Sequence, residues 1–280
     1  ATEGELFYND TSKEFKVGIS VLAWTSGGNL TTSKKDLSGA GSLTAGLVFG
    51  GTPPAKNESE EYDGSSWTEG NNLGTARYGL GGFGTQTAAV AVGGGDGTAA
   101  VAVVEEYNGS SWTEVTNIPR AESVMASTGT LTAGLLAGGS VMDGESFEYD
   151  GTNWTDGGAL NTTRQYFDAC GTQTAAVAAG GWVSPGDSAV TEEYNGTAWT
   201  SGENCSTARR AGRMAGIQTA AILYGGQVPG GASTATETYD GTDWSASPAL
   251  STGRRDGGRG KSGSTYQSAF LAGGDTGSVT

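Results

Sequence analysis

The sequence contains no histidine and only two cysteines, and both shortages exclude chemistry. Without histidine among 280 residues, the chain cannot form a Ser-His-Asp triad, a His-ligated zinc site or most copper and haem sites. Cys170 and Cys205 could pair or stay free, and a chain of this size needs no disulfide for stability. The sequence therefore predicts no metal site and no cofactor.

Basic residues are scarce as well. Lysine and arginine number 15 against 30 aspartates and glutamates, for a net charge of −15. A duplex nucleic acid and an anionic membrane surface both attract basic proteins, so both are disfavoured as partners. No apolar run approaches the roughly 20 residues that cross a bilayer, and we expect no membrane insertion.

Glycine is abundant, with 50 residues. The glycines lack a strict every-third-residue pattern, which excludes a collagen helix. Glycine also disfavours α-helices, whereas the many threonines, valines and alternating small residues favour short strands and tight turns. The composition therefore indicates an all-β protein.

Two independent markers repeat about every 44 residues. The periodic tryptophans are Trp24, Trp67, Trp112, Trp154, Trp199 and Trp244. The glycine doublets begin at Gly50, Gly93, Gly138, Gly180, Gly225 and Gly273. Each full unit also has a tyrosine five residues before its tryptophan, and these are Tyr62, Tyr107, Tyr149, Tyr194 and Tyr239. This periodicity predicts six copies of one structural unit.

One unit is predicted to contain four strands, which we name A to D. In residues 77–114, strand A follows Arg77, strand B is TAAVAV before the glycine doublet, strand C ends at Tyr107 and strand D carries Trp112. The Asn108-Gly109 turn joins strands C and D, because both residue types tolerate positive φ. A sheet this small cannot bury both its faces alone, and stacking the sheets radially as a β-propeller buries them.

A glycine doublet, a tyrosine, a tryptophan and then a basic residue resemble the kelch repeat. The pattern runs through segments such as TAGLVFGG, TAAVAVGG, EEYDGSSWTE and FEYDGTNWTD over about residues 20–280. The repeat is shorter than the usual kelch unit of about 50 residues. The resemblance implies a six-bladed kelch-like propeller with four antiparallel strands per blade.

The two ends of the chain predict how the ring closes. Residues 263–280 begin a sixth unit without a tyrosine or tryptophan, whereas Trp24 stands on a strand without preceding A and B strands. We therefore expect the N-terminal strand to complete the sixth blade within a propeller of residues 18–280. Residues 1–17 fall outside the repeat and are expected to form a hairpin or linker.

The near-identical repeats and the N-terminal segment also resemble propeller-bearing virion proteins of tailed phages, especially marine cyanophages. This resemblance implies a non-enzymatic structural protein of the virion, associated with a tail or fibre and serving host attachment or decoration. The implied partners are other virion proteins and a host-surface glycan or protein.

Strand counting places the B–C and D–A loops together on one face. The B–C loops differ strongly between units, and a rigid scaffold with varied clustered loops is typical of a binding surface. The same face is predicted to carry six basic residues, namely Lys34, Arg77, Arg120, Arg164, Arg209 and Arg254. They could bind an anionic or polyhydroxyl ligand, or they could pair with the glutamates that precede the repeated tyrosines.

Residues that break the repeat are better candidates for ligand binding. Trp182 is the only tryptophan outside the periodic positions, and an exposed loop tryptophan can stack on a sugar or a partner. It could equally pack its own loop onto a neighbour. The other candidates are Arg210, Arg213, Arg255, Arg259, Tyr78 and Tyr166.

The sequence is also compatible with two other classes of function. A kelch-type intracellular interaction scaffold is the main alternative, although no additional domain is visible in the sequence. A propeller oxidase or hydrolase is disfavoured, because the copper-radical oxidases need histidine ligands and the sialidase turn motif is absent. We therefore expect no enzymatic activity.

Overall fold

The computed structural model describes residues 6–9, 14–17, 23–260 and 266–277. Strand β1 (Leu6–Asn9) pairs antiparallel with β2 (Glu14–Val17), within the segment expected to form a hairpin or linker. The other residues of that segment, and residues 18–22 of the expected closing strand, lie outside the described residues. The division between this segment and the propeller stays a prediction.

Five four-stranded antiparallel sheets follow one another along the chain. The first comprises β3 (Ser38–Ser42), β4 (Ala45–Phe49), β5 (Ser59–Tyr62) and β6 (Trp67–Glu69). The second comprises β7 (Gly81–Thr85), β8 (Ala88–Val92), β9 (Val104–Tyr107) and β10 (Trp112–Glu114). The third comprises β11 (Ala126–Thr130), β12 (Ala133–Ala137), β13 (Ser146–Tyr149) and β14 (Trp154–Asp156).

The fourth and fifth sheets each carry an additional short hairpin in the B–C loop. The fourth comprises β15 (Asp168–Thr172), β16 (Ala175–Ala179), the hairpin strands β17 (Trp182–Val183) and β18 (Gly186–Asp187), then β19 (Thr191–Tyr194) and β20 (Trp199–Ser201). The fifth comprises β21 (Arg213–Ile217), β22 (Ala220–Tyr224), the hairpin strands β23 (Gln227–Val228) and β24 (Gly231–Ala232), then β25 (Thr236–Tyr239) and β26 (Trp244–Ser247).

The sheets pack as the blades of a β-propeller, with the A strands innermost. Each blade's A strand contacts the A strand of the next blade. The B strands are buried along nearly their whole length, because neighbouring blades cover both faces of each sheet. Their small residues suit this double burial, since wide side chains would separate the blades.

Hydrogen bonds join successive blades at two repeated positions. The Tyr107 hydroxyl donates to Glu61 Oε1 of the preceding blade at 2.5 Å, and Tyr149, Tyr194 and Tyr239 make the equivalent bond. In the A–B turn, Gln86 Nε2 donates to two carbonyl oxygens of the first blade. Each repeated tyrosine also packs against the tryptophan of its own blade, with ring centroids 4.6 to 5.0 Å apart.

The number of complete blades differs from the prediction of six. After the fifth blade, the described residues form only a two-stranded sheet of β27 (Gly258–Arg259) and β28 (Leu271–Ala272), with a 3-10 helix at Tyr266–Ser268 between them. Strand β27 packs against both β3 and β21, which places it between the first and fifth blades. Part of the predicted sixth blade, residues 261–265 and 278–280, lies outside the described residues.

Candidate ligand-binding site

A circuit of six backbone hydrogen bonds surrounds the propeller axis where the A strands begin. Its members have φ between 53° and 59°, and they are Asp36, Gly79, Val124, Tyr166, Ala211 and Asp256. Each N–H donates to the carbonyl oxygen of the preceding member, and Asp36 donates to Asp256, at distances of 2.6 to 3.2 Å. All six members have left-handed backbone, although Val124, Tyr166 and Ala211 have side chains that disfavour it.

A depression opens inside this circuit and forms the axial pocket. Its polar lining consists of Asp36, Tyr166, Arg213, Asp256 and Arg259, while the second and third blades contribute small and apolar residues. Polar groups therefore cluster on one side of the axis. Sequence reasoning did not single out the two aspartates.

The two aspartates of the circuit have unusual proton affinities. Burial and, to a lesser degree, the nearby Asp36 carboxylate raise the pKa of Asp256 to about 6, whereas Arg213, Arg255 and Lys35 act in the opposite direction. Burial also raises the pKa of Asp36 above its usual value. The pocket therefore holds two carboxylates that are incompletely compensated by cations.

Arg259 lines the inner end of the axial pocket. It is 3% exposed and forms an ion pair of 2.5 Å with Asp168, which also accepts hydrogen bonds from the Met214 and Ala169 amides. Arg259, a ligand-binding candidate from the sequence, is buried because β27 carries its side chain into the interior, and its role in binding stays a prediction. Its Nε has no hydrogen-bond partner among the described residues.

A charged rim surrounds one side of the pocket mouth. Lys35 and Arg255 both pair with Asp275, at 3.2 and 2.8 Å. Arg210 pairs with Asp187 of the fourth blade's hairpin at 2.8 Å and is about one third exposed. Arg213, a further candidate, donates from Nε to the Gly257 carbonyl at 2.6 Å. The structure thus brings Arg210, Arg213 and Arg255 together, with Lys35 as an additional member that sequence reasoning missed.

The aromatic candidates lie next to this rim. Trp182 is half-buried in the β17–β18 hairpin, and its amide donates to the Gln165 carbonyl at 2.7 Å. Tyr166 follows Gln165 directly and is 38% exposed, so the two aromatic residues share one sector of the mouth. Tyr78 is half-buried and lies over Gly95 of its own blade.

Four members of the predicted basic ring are unavailable to a ligand. Lys34, Arg77, Arg164 and Arg209 are buried and pair with Glu60, Glu105, Glu192 and Glu237 respectively. The Arg77 guanidinium also donates to the Gly93 and Val103 carbonyls at 2.8 and 2.7 Å. These cations therefore hold strand C against the D–A loop within each blade.

The third position of the predicted ring departs from the ten-residue spacing of the other members. Glu122, not Arg120, stands ten residues after the blade tryptophan, and it is buried. Arg120 lies further out, pairs with Glu122 and Asp143, and stands 6.0 Å from the Phe147 ring. In this blade an acidic residue takes the buried position that a basic residue has in four others. Strand C here has Phe147 where four other blades have glutamate, so a buried cation would have no carboxylate partner there.

The sixth position of the ring differs again. Arg254 is partly exposed and donates from Nη1 to the Gly273 carbonyl at 3.0 Å. Arg254 thus binds the backbone at the last glycine doublet, which begins at Gly273.

Among the described residues, no group of three or more cysteine and carboxylate side chains is arranged to hold a metal ion. No helix in the described part of the chain is long and apolar enough to span a membrane. Cys170 and Cys205 are both buried and are not joined by a disulfide, and burial raises the pKa of the Cys205 thiol to about 11.

Comparison with known proteins shows the fold alone. No protein-family model matches the chain, and no curated protein matches it. A solved structure described as the structure of YjhT matches with a TM-score of 0.75 and 15% identity, over 89% of this chain and 92% of that one. The chain has a β-propeller fold.

Proposed function

We propose that this propeller is a non-enzymatic recognition module that binds a surface glycan or glycoprotein at the axial mouth. The observation that carries the proposal is one sector of the mouth. There the Trp182 hairpin bonds to the backbone beside Tyr166, and Arg210 pairs with Asp187 of that hairpin. Arg255 lies next to Arg210, since both bond to Gln227. Sugars offer apolar ring faces and polar edges, which aromatic and guanidinium groups contact together.

We further propose that the module belongs to a virion, where it serves host attachment or decoration beside other virion proteins. This part rests on the resemblance of the repeats and of the N-terminal segment to phage propellers. Its test is the position of the protein in purified particles, and absence from particles would contradict it.

We also infer that the repeats are of the kelch type and that residues 18–28 complete a sixth blade. Trp24 packs on Tyr224 with ring centroids 4.9 Å apart, the same separation as Trp112 and Phe49 between the first two blades. The Thr31 amide donates to Glu60 at 2.7 Å, a bond that Gly74 repeats with Glu105 at 2.6 Å. The chain's N-terminal segment thus makes contacts that elsewhere belong to a blade's D strand.

The recognition proposal is tested by binding to whole bacterial cells and to an array of bacterial surface polysaccharides. Trp182→Ala and Arg210→Ala should each weaken binding by about 1–3 kcal/mol if they are contact residues. Ser110→Ala is the matched control, because Ser110 is exposed in a C–D turn on the opposite face. Melting temperatures of all variants should stay close to that of the parent protein.

The outcomes distinguish ligand binding at the axial mouth from binding at the opposite face. Loss of binding in the mouth variants with normal binding of Ser110→Ala would support the proposal. Normal binding of both mouth variants would contradict it and would favour the propeller as a dock for another protein.

A further inference from the structure

The axial pocket offers both hydrogen-bond donors and acceptors at different depths. The Asp36 and Asp256 carboxylates stand at the mouth, and Arg259 lies three residues further along the inner strand from Asp256. The Arg259 side chain is nearly fully buried, and its Nε–H is unused by the described residues. A buried donor without a partner carries a substantial cost unless a bound molecule accepts from it.

The carboxylates of the two aspartates also lack close ion-pair partners. The Asp256 carboxylate lies 3.8 Å from Arg255 Nε, whereas Arg255 approaches Asp275 at 2.8 Å. Arg213, the other neighbouring cation, directs its Nε to the Gly257 carbonyl. Carboxylate lone pairs therefore face the pocket without close donors from the flanking arginines.

We propose that the axial pocket is a subsite for the hydroxyl edge of an uncharged sugar ring. Two neighbouring hydroxyls would donate to Asp36 and Asp256, and a hydroxyl or ring oxygen would accept from Arg259 Nε–H. A hydroxyl both donates and accepts, so it matches this mixed set. A carboxylated sugar lacks donors at its charged group and would meet two carboxylates, whereas an ammonium group could not accept from Arg259.

This inference deepens the proposed function and rests on it only in taking the ligand to be a glycan. Trp182 and Arg210 would contact the rest of the polysaccharide at the rim, while the axial subsite would take only the hydroxyl edge of one sugar ring. The two sites can therefore be tested separately.

The experiment measures binding of glucose, galactose, mannose and N-acetylglucosamine, with glucuronic and galacturonic acids as charged counterparts, by calorimetry or ligand-observed NMR. The parent protein should bind at least one neutral sugar more tightly than the uronic acids. Asp36→Asn and Asp256→Asn should each weaken that binding about tenfold, because an amide is a weaker acceptor than a carboxylate.

Asparagine suits this test because it tolerates the left-handed backbone of both positions, so the hydrogen-bond circuit should persist. Asp96→Asn is the matched control, since Asp96 is an exposed loop residue of the second blade that caps its own turn, and it should bind normally. Lowering the pH from 7.5 to 5 should weaken sugar binding by the parent protein more than by Asp256→Asn, because only the former loses a carboxylate. The other titratable or charged groups that face this carboxyl are Asp36, Tyr166, Lys35, Arg213, Arg255 and Asp275.

Three results would overturn the subsite. They are normal sugar binding by both axial variants, tighter binding of a uronic acid, and no binding of any neutral sugar at millimolar concentration. If polysaccharide binding nevertheless depends on Trp182, the recognition proposal stands and the axial subsite alone fails. If the axial variants lose sugar binding while Trp182→Ala binds cells normally, the subsite proposal is supported and the proposed ligand contact of Trp182 at the rim is contradicted.

Discussion

Asp256 carries a carboxyl whose proton affinity depends on the fold. Its pKa rises from 3.8 to about 6 on folding, so the folded state holds the proton more tightly than the unfolded state. The stabilisation from protonation is fully present below pH 3.8 and is lost as the pH rises through about 6. Above that range, the folded protein bears the cost of a buried charge.

Asp256→Asn should therefore stabilise the protein at pH 7.5 by about 1–3 kcal/mol. The effect should shrink toward zero at pH 4, because the parent side chain is then mostly protonated. Thermal unfolding at the two pH values checks this. A stabilisation that is equal at both pH values would contradict the raised pKa as its cause.

Buried ion pairs make a second prediction at the scale of single residues. Arg77 and Glu105 are both almost fully buried and lie 2.8 Å apart. Glu105→Ala should cost about 3–5 kcal/mol, because it leaves a buried cation without its partner. The control is Glu58→Ala in the more exposed Lys56–Glu58 pair, which should cost less than about 1 kcal/mol. Similar losses in chemical denaturation would contradict this account.

The side-chain pairings also show what sequence could and could not reveal. The spacing of ten residues from the blade tryptophan was visible, and applied strictly it would have identified Glu122 in place of Arg120. The depth of Arg259 was not visible, because nothing local shows that a two-residue inner strand carries it toward Asp168. Asp36 and Asp256 were missed because the left-handed circuit also contains Val124 and Ala211, which have no turn propensity.

At the scale of elements, residue size is matched between neighbouring blades. Phe83 on the A strand of the second blade faces Gly134 on the B strand of the third, whereas Ala40 and Ala89 share the core between the first and second blades. A Cβ at position 134 would overlap the Phe83 ring. Small and large residues therefore alternate across the blade interfaces as close packing requires.

Gly134→Ala should destabilise the protein by about 1–3 kcal/mol through overpacking. In a Phe83→Ala background the same substitution should be neutral or stabilising, because it fills vacated space. Gly186→Ala is the control, since nothing lies within 4 Å of the added methyl. Additive effects of the two substitutions, measured by urea unfolding, would show that they do not share a contact.

The strand order within a blade was predictable for a simple reason. Glycine doublets, Asn-Gly turns and the Tyr-to-Trp spacing mark strand ends locally, and the observed A-to-D order follows them. The β17–β18 and β23–β24 hairpins were not predicted, because they lie in variable loops without alternating apolar residues.

At the scale of the whole molecule, the repeat count and the number of complete sheets differ. The markers occur six times, but the described residues form five four-stranded blades and, after the fifth, the two-stranded β27–β28 sheet. The difference lies in the last unit, which has no tyrosine or tryptophan of its own, so sequence periodicity could not show which strands it forms. The backbone circuit nevertheless includes Asp256, so six chain segments surround the axis.

The proposed closure predicts different tolerance of two deletions. Removing residues 18–28 should cause a large loss of stability or aggregation, because it removes Trp24 from Tyr224 and exposes an unpaired strand edge. Removing residues 1–12 should have a mild effect. Thermal unfolding and light scattering of both proteins check this, and equal tolerance would contradict closure by the N-terminal strand.

Ligand recognition at the axial mouth is tested most directly by hydrogen exchange with and without a bound surface polysaccharide. The account predicts slower amide exchange in the hairpins at residues 182–187 and 227–232, with no change in the C–D turns at residues 63–66 and 108–111. Protection confined to the C–D turns, with unchanged exchange in both hairpins, would contradict it.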